Sequence, residues 1–333
     1  MEKAKDNQCK TNSIEWVRFC NEYTWKIKDE QLKNDLLVKI RKWWNQFECN
    51  IFPGPQPISI ERSHFIQLKS KPYWVCAKTD GVRYIFVCTY LNNIPYCCLI
   101  NRKKDTYMLK CNINKEAFQG TVLDGELVLN NRGQYEYLVY DSTIVCGADC
   151  TQKPHSERIK AALSIVDYVN QKNTQPKMHI SIKTFYPLHK MEEYVQCIVP
   201  KLDHSMDGYI FTPEHEPVKS GTHVTMFKWK EQMKNTVDFL ISKSEHEHHK
   251  YIMKIARGKQ LITLFDNHLR VVDPKMDKQL SIEPRIVECK YVHENTWEAL
   301  FIRTDKIHPN NMLTYKKTLL NISENIQLNE FYV

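Results

Sequence analysis

The sequence predicts an α+β protein of two domains: antiparallel sheets flanked by helices, then a small β-barrel. Three observations carry that prediction. Residues 73–140 hold five β-like runs separated by turn residues. Two stretches, 29–48 and 155–171, repeat apolar residues at helical spacing. Beyond residue 250 come five more short strand-like runs within about 60 residues, a density that suits a small barrel. At 333 residues the chain can bury more than one hydrophobic core.

The first helix, within 29–48, places Leu32, Leu36, Ile40, Trp43 and Phe47 on one face, with lysines and Arg41 opposite, so its aromatics read as core. "FPGPQP" at 52–57 then breaks the pattern as a stiff connector. Strands are expected at 73–78, 82–90, 95–101, 121–129 and 135–140. A helix at 155–171 aligns Ile159, Leu163, Val166 and Val169. Strands at 179–185 and 207–212 flank a helix near 190–199, and runs at 223–230 and 236–242 close this part.

The polar "KSEHEHHK" at 243–250 reads as a hairpin tip, and its His246, His248 and His249 as solvated residues rather than metal ligands. Strands near 251–256, 260–265, 268–272, 285–292 and 296–303 suit an oligonucleotide-binding fold, and a helix follows near 309–322. The expected division is 1–233, 234–308 for the barrel, and 309–333 for a C-terminal helix packing back on the first domain.

A net charge of +8 and a pI near 8.7 favour a polyanionic partner. Twelve cysteines are scattered without a Cys-x-x-Cys, and Cys97-Cys98 and Cys146/Cys150 lack histidines at zinc-finger spacing. They read as small apolar core residues in a reducing setting. No signal peptide and no membrane-length apolar run is seen, so an intracellular protein without a membrane partner is expected.

In "YWVCAKTDGVRYIFVC" (73–88), Asp80-Gly81 would turn a hairpin unaided, which leaves Lys78 unexplained at the end of a buried strand. A bare ammonium is costly there. Further charges interrupt apolar strands: Arg102 in "CLINRK", Glu126 in "VLDGELVL", Asp141 in "YLVYDST", Asp207 in "MDGYIF", and Lys228 and Lys230 in "MFKWK". "WEALFIRTDK" adds Arg303, Asp305 and Lys306 in the barrel.

The order K-x-D-G-x-R, D-G-E, strand-final Asp, D-G-x-x-F, F-K-x-K, R-x-D-K resembles the covalent nucleotidyltransferase superfamily. This comprises mRNA capping guanylyltransferases and ATP-dependent polynucleotide ligases, on an ATP-grasp-like, ligase-type domain with an oligonucleotide-binding lid. "PGPQPISIER" (53–62), "NTVDFLI" (235–241) and the C-terminal "NNMLTYKKTLLNISENI" resemble capping enzymes, above all the small ones of large DNA viruses of the chlorella virus type.

The resemblance implies a lysyl-GMP intermediate on Lys78, made from GTP and passed to RNA with a 5′-diphosphate end. Lysine suits the task because burial and nearby cations promote loss of its proton. By the same resemblance Arg83 holds the sugar, Glu126 a ribose hydroxyl or metal shell, and Tyr140 stacks on guanine. Asp207 supports Mg²⁺ or Mn²⁺. Lys228 and Lys230 meet the α-phosphate, Arg102 another phosphate, and Lys190 is the candidate for reading the base. Arg303, Asp305 and Lys306 would meet the β- and γ-phosphates as the barrel closes. A separate RNA triphosphatase, cap methyltransferase or RNA polymerase would be partners, in the nucleus or a cytoplasmic viral factory. The competing readings are an ATP-dependent polynucleotide ligase, an inactive RNA-end-binding module on the same fold, and a generic basic RNA-binding protein.

Overall fold

The structure, a computed structural model, describes residues 13–44, 52–172, 178–244, 250–304 and 306–332. It divides into two units: Gln67–Lys228 with the residues before Ser59, and Ser59–Ile66 with Trp229–Phe331. His246, His248, His249 and Asp305 lie outside the described residues.

The first part of the chain runs β1 (Ile14–Phe19), β2 (Glu22–Ile27), α1 (Glu30–Trp43), β3 (Pro55–Ser59), β4 (Tyr73–Thr79), β5 (Val82–Leu91), β6 (Ile94–Asn101) and β7 (Thr106–Met108). It continues with β8 (Thr121–Leu129), β9 (Tyr135–Val145), β10 (Ala148–Asp149), α2 (His155–Lys172), β11 (Met178–Ile182), β12 (Tyr186–Pro187), β13 (Met206–Pro213) and β14 (Gly221–Trp229). One sheet has the order β1-β2-β7-β6-β5-β8-β9-β10, with β11 pairing β9 in parallel; the other has the order β12-β4-β13-β14-β3.

Strand β5 is buried on both faces, which is why its sequence is a continuous apolar run rather than an alternation. Phe86 and Cys88 join Leu123, Tyr137 and Val139 against Ala162, Ile165 and Val166 of α2. Ile85 and Val87 meet Leu36, Leu37 and Ile40 of α1 on the other face. Helix α1 starts where Asp29 Oδ1 accepts from Leu32 N at 3.1 Å, and it ends with Arg41 and Lys42, favourable at a helix C-terminus. Leu163, expected on the packing face of α2, points to solvent. Arg158 takes part in the buried stripe instead, because buried Asp141 requires a counter-charge: Arg158 Nε donates to Asp141 Oδ1 at 2.7 Å and NH2 to Oδ2 at 3.0 Å. The helix expected near 190–199 is a chain of short helical turns across Leu188–Lys201.

The second unit contains β15 (Thr236–Lys243), β16 (Tyr251–Arg257), β17 (Gln260–Thr263), β18 (His268–Arg270), α3 (Pro274–Ile282), β19 (Arg285–His293), β20 (Thr296–Ile302) and α4 (Met312–Glu324). Its sheet order is β17-β16-β15-β19-β20-β18. The fold is oligonucleotide-binding-like, but among the described residues no pairing joins β17 to β18, so no closed barrel forms. Trp297 is fully buried with Phe239, Met253 and Val287, under Leu280 of α3 and Tyr315 and Ile322 of α4.

The C-terminal helix packs on this sheet and belongs to the second unit. Tyr315 and Ile322 stand seven residues apart, two helical turns along the same face, and fill the core. Ser59–Ile66 joins the same unit: Arg62 NH1 meets Glu330 Oε2 at 2.7 Å, and Asn321 Nδ2 donates to Ile60 O at 2.7 Å. Among the described residues the cysteines are free and no helix is long and apolar enough to cross a membrane. Burial pushes the Cys98 thiol up to about 12, consistent with a packed apolar role.

Candidate functional site

Lys78 is the last residue but one of β4 in one sheet, and Arg83 is the second residue of β5 in the other. Asp80-Gly81 is thus no hairpin turn: it carries the chain between sheets, since β4 pairs with β12 and β13, and β5 with β6 and β8. Glycine is required because a Cβ at 81 would lie 2.6 Å from Leu127 O. The junction brings groups from both sheets together: Thr79 Oγ1 of β4 donates to Glu126 Oε2 of β8.

Two β-bulges aim further side chains into this space. On β13, Met206 pairs with Thr79 and Gly208 with Lys78, so Asp207 is the extra residue. Its Oδ1 accepts from Lys78 Nζ at 2.7 Å, with both side chains about one quarter exposed (26% and 24%). On β9, Asp141 pairs with Asp124 and Val139 with Gly125, which leaves Tyr140 extra. Tyr140 is half-buried, and its hydroxyl donates to Asp124 Oδ1 at 2.7 Å.

Asp124 and Glu126 are two residues apart on β8 and share a face. Asp124 is buried and clamps Arg83, whose Nε donates at 2.9 Å and whose NH2 meets the other carboxylate oxygen. Arg83 NH1 also donates to Pro55 O at 2.9 Å. Burial works against both charges. It pushes the Asp124 carboxyl up, opposed by Arg83 and Tyr140; Arg83 still stays above the ordinary arginine range because Asp124 outweighs its own desolvation. The bidentate geometry favours the ionised pair against that burial.

Lys183, just past β11, is a buried residue that sequence reasoning missed. Its N donates to Val139 O at 2.8 Å, fixing it beside β9. Its Nζ donates to Thr79 Oγ1 at 2.9 Å, lies 3.6 Å from Glu126 Oε2, and stands 5.5 Å from the Tyr140 ring centre. Asp124 was also missed, although its place in "DGE" on a strand set it on the face of Glu126. For Lys183 the only signal was a lone lysine after an alternating run, which is weak.

Arg102 follows β6 and is exposed, with its guanidinium close enough to Arg83 to feel its charge. Loss of water and then the Arg83 charge push its pKa down. Lys190 is not brought to this cluster: it is half exposed (52%), 3.9 Å from Glu193. Lys228 lies on β14, beside β13 in the sheet of Lys78. Lys230 falls in the second unit. Within that unit Arg303 NH1 donates to Asp238 Oδ1 at 3.0 Å and to Glu288 Oε2 at 2.7 Å, and Lys306, exposed, donates its N to Arg303 O at 3.3 Å.

Lys78, Arg83, Arg102 and Lys183 set four cations against three carboxylates, Asp124, Glu126 and Asp207. That excess suits a phosphate ligand. Among the described residues no group of three or more His, Cys, Asp or Glu is arranged to hold a metal. Asp207 and Glu126 are hard oxygen donors, so the set fits a Mg²⁺-like ion that keeps its waters and takes oxygens from a nucleotide, not a protein-enclosed site.

The family model for the mRNA capping enzyme catalytic domain matches residues 23–232, and that for the mRNA capping enzyme C-terminal domain matches 234–332. The mRNA-capping enzyme subunit alpha of Schizosaccharomyces pombe is 29% identical over 83% of this chain and 77% of its own length. That of Saccharomyces cerevisiae is 26% identical over 91% and 83%. These relatives are fungal, so the expected kinship with viral enzymes rests on the quoted segments alone. A mycobacterial DNA ligase D complexed with ATP and MES is 15% identical, with a TM-score of 0.43 over 78% of this chain and 97% of its own, and supports no functional reading. Two family models spanning nearly the whole chain settle its kinship: it belongs to the family of mRNA capping enzymes.

Proposed function

We propose that Lys78 is the nucleophile through which this capping enzyme moves GMP from GTP to the 5′-diphosphate end of RNA. The reaction class is that of an mRNA guanylyltransferase, a nucleotidyltransferase. In the first step the neutral amine attacks the α-phosphorus, the bond to the bridging oxygen breaks, and pyrophosphate leaves. The amine releases a proton to solvent as the P–N bond forms. In the second step a terminal β-phosphate oxygen of the RNA attacks the same phosphorus. The P–N bond breaks, the lysine nitrogen regains a proton, and the RNA carries the GpppN end.

The observation that carries this reading is the Lys78–Asp207 contact at 2.7 Å, at a sheet junction where cations outnumber carboxylates. Asp207 orients the amine, and Arg83, clamped by Asp124, is assigned to the sugar. Glu126 is assigned to a ribose hydroxyl, Tyr140 to base stacking, and Arg102, Lys228 and Lys230 to phosphate. Lys183 Nζ stands 5.5 Å from the Tyr140 ring centre, which supports assigning it, rather than Lys190, to the base. Arg303, Asp305 and Lys306 are assigned to the leaving pyrophosphate on motif order. Asp207, with Glu126, would hold a divalent cation, which when bound neutralises phosphate charge. The relatives' designation as an alpha subunit supports a partner subunit that trims the RNA end, and the substrate supports an intracellular site of action, nuclear or cytoplasmic.

Labelled GTP and labelled ATP, offered separately, test the reading. GTP alone should label the protein, and the label should pass to 5′-diphosphate RNA but not to 5′-monophosphate or 5′-hydroxyl RNA. Labelling by ATP with sealing of nicked DNA would replace it with the ligase reading.

A further inference from the structure

The β1–β2 hairpin leaves large aromatics in water, where a packed protein would cover them. Register pairs Trp16 with Trp25 and Arg18 with Tyr23, so all four project from one face. Trp16 is 45% exposed, Trp25 42% and Tyr23 56%. The rings are ordered against each other: Trp16 and Tyr23 lie parallel within 8° at 6.1 Å, and Trp25 meets Trp16 edge-on at 4.5 Å.

Cations are interleaved with them. Lys110 Nζ stands 4.3 Å over the Trp16 ring and donates to Tyr23 O at 2.9 Å. Arg18 is exposed, with no ion pair to any described residue. Among the described residues β1 is an edge strand of its sheet, and it precedes the segment matched by the catalytic-domain model, which starts at residue 23.

We propose that this hairpin is a stacking platform for the single-stranded body of the RNA substrate, downstream of the end being capped. Aromatic rings accept any base by stacking while lysine and arginine take the phosphates, so the surface binds without reading sequence. Charge selects RNA over an apolar partner: the ring cluster carries Arg18 and Lys110 in a chain of net charge +8. Geometry permits it too. From β5, which bears Arg83, the sheet passes β6 and β7 to β2, three strand spacings or about 14 Å, a distance a few nucleotides span.

The inference rests on the guanylyltransferase reading, and its test separates the two. The probes are a 5′-diphosphate trinucleotide and an unstructured 5′-diphosphate RNA of roughly twenty nucleotides, since single-strand sites cover several nucleotides. Tyr23→Ala and Trp25→Ala should each raise KM for the long RNA about tenfold, the scale of one lost base stack. Lysyl-GMP formation and KM for the trinucleotide should stay at wild-type values. Tyr23→Phe keeps the ring and should behave as wild type, which guards against a merely misfolded hairpin. Arg18→Gln should weaken long-RNA binding and reduce its salt slope by about one.

An unchanged KM for the long RNA in both alanine variants would overturn the proposal while adduct formation kept the function intact. So would loss of self-association in Tyr23→Ala without any RNA effect, which would assign the face to a second copy of this chain. No adduct in wild type would strike the underlying function instead, and anisotropy of the labelled long RNA would still decide the hairpin's role.

Discussion

Asp124→Asn removes one charge from a pair that water does not reach: the Arg83 side chain is 11% exposed and that of Asp124 0%. The isostere keeps the shape and an oxygen that can still accept from Tyr140 and Arg83 Nε, but it turns an amide NH2 towards Arg83 NH2 and removes the counter-charge. Breaking a buried pair this way costs about 3–5 kcal/mol. At about 2–4 °C per kcal/mol for a unit of this size, Tm should fall by about 6–20 °C. Urea denaturation should show a lower midpoint with an unchanged slope, since the surface exposed on unfolding is the same. KM for GTP should rise, because Arg83 is no longer fixed. Replacing both partners, Arg83→Met with Asp124→Leu, should cost less stability than Asp124→Asn alone, since no charge is then stranded. A loss below about 1 kcal/mol in the single variant, or a double variant less stable than Asp124→Asn, would refute the argument.

Three other outcomes are expected. Gly54 has φ +108° and faces Arg83 and Asp124, so Gly54→Ala should lower stability by about 1–3 kcal/mol and raise KM for GTP, read by denaturation and initial rates. Arg303→Ala should slow adduct formation about a hundredfold while purified adduct transfers GMP at near the wild-type rate. Since Arg303 also bridges Asp238 and Glu288, a purely structural role would instead impair both steps alike alongside a lower Tm. Burial pushes the His155 pKa below its ordinary value, so the unfolded chain binds the proton first as pH falls. Its stability contribution is whole above about pH 6.5 and shrinks as pH drops from there towards the folded pKa, so urea midpoints should fall from pH 7.5 to 5.5, less steeply in His155→Gln.

Charges that interrupt apolar strands made Lys78, Arg83, Glu126 and Asp207 legible, because burial gives no reason to keep them. What the sequence hid was pairing. A bulge is a property of two strands, so nothing in "LVYDS" or "SMDGY" shows that Tyr140 and Asp207 are the extra residues. The β1–β2 hairpin escaped because its turn is Cys20-Asn21, both at positive φ, rather than Asn-Gly. The Asp-Gly of residues 80–81 misled in the opposite direction, joining two sheets where the local signal promised a hairpin. Lys183 went unread because no local pattern distinguishes a lysine folded under a neighbouring strand from one in water. The C-terminal helix was legible as a helix, but its destination depends on the core that Tyr315 and Ile322 fill, which amphipathicity does not name.

Intact mass and peptide mapping after incubation with GTP and a divalent cation test the central claim most directly. The wild-type chain should gain one GMP, stable in alkali and lost in acid as a phosphoramidate is, on the peptide containing Lys78. Lys78→Ala should gain nothing, and neither should Lys78→Arg, since a guanidinium keeps its proton and cannot attack phosphorus. A GMP adduct on Lys78→Ala, or mapped to another lysine such as Lys183, would contradict the account.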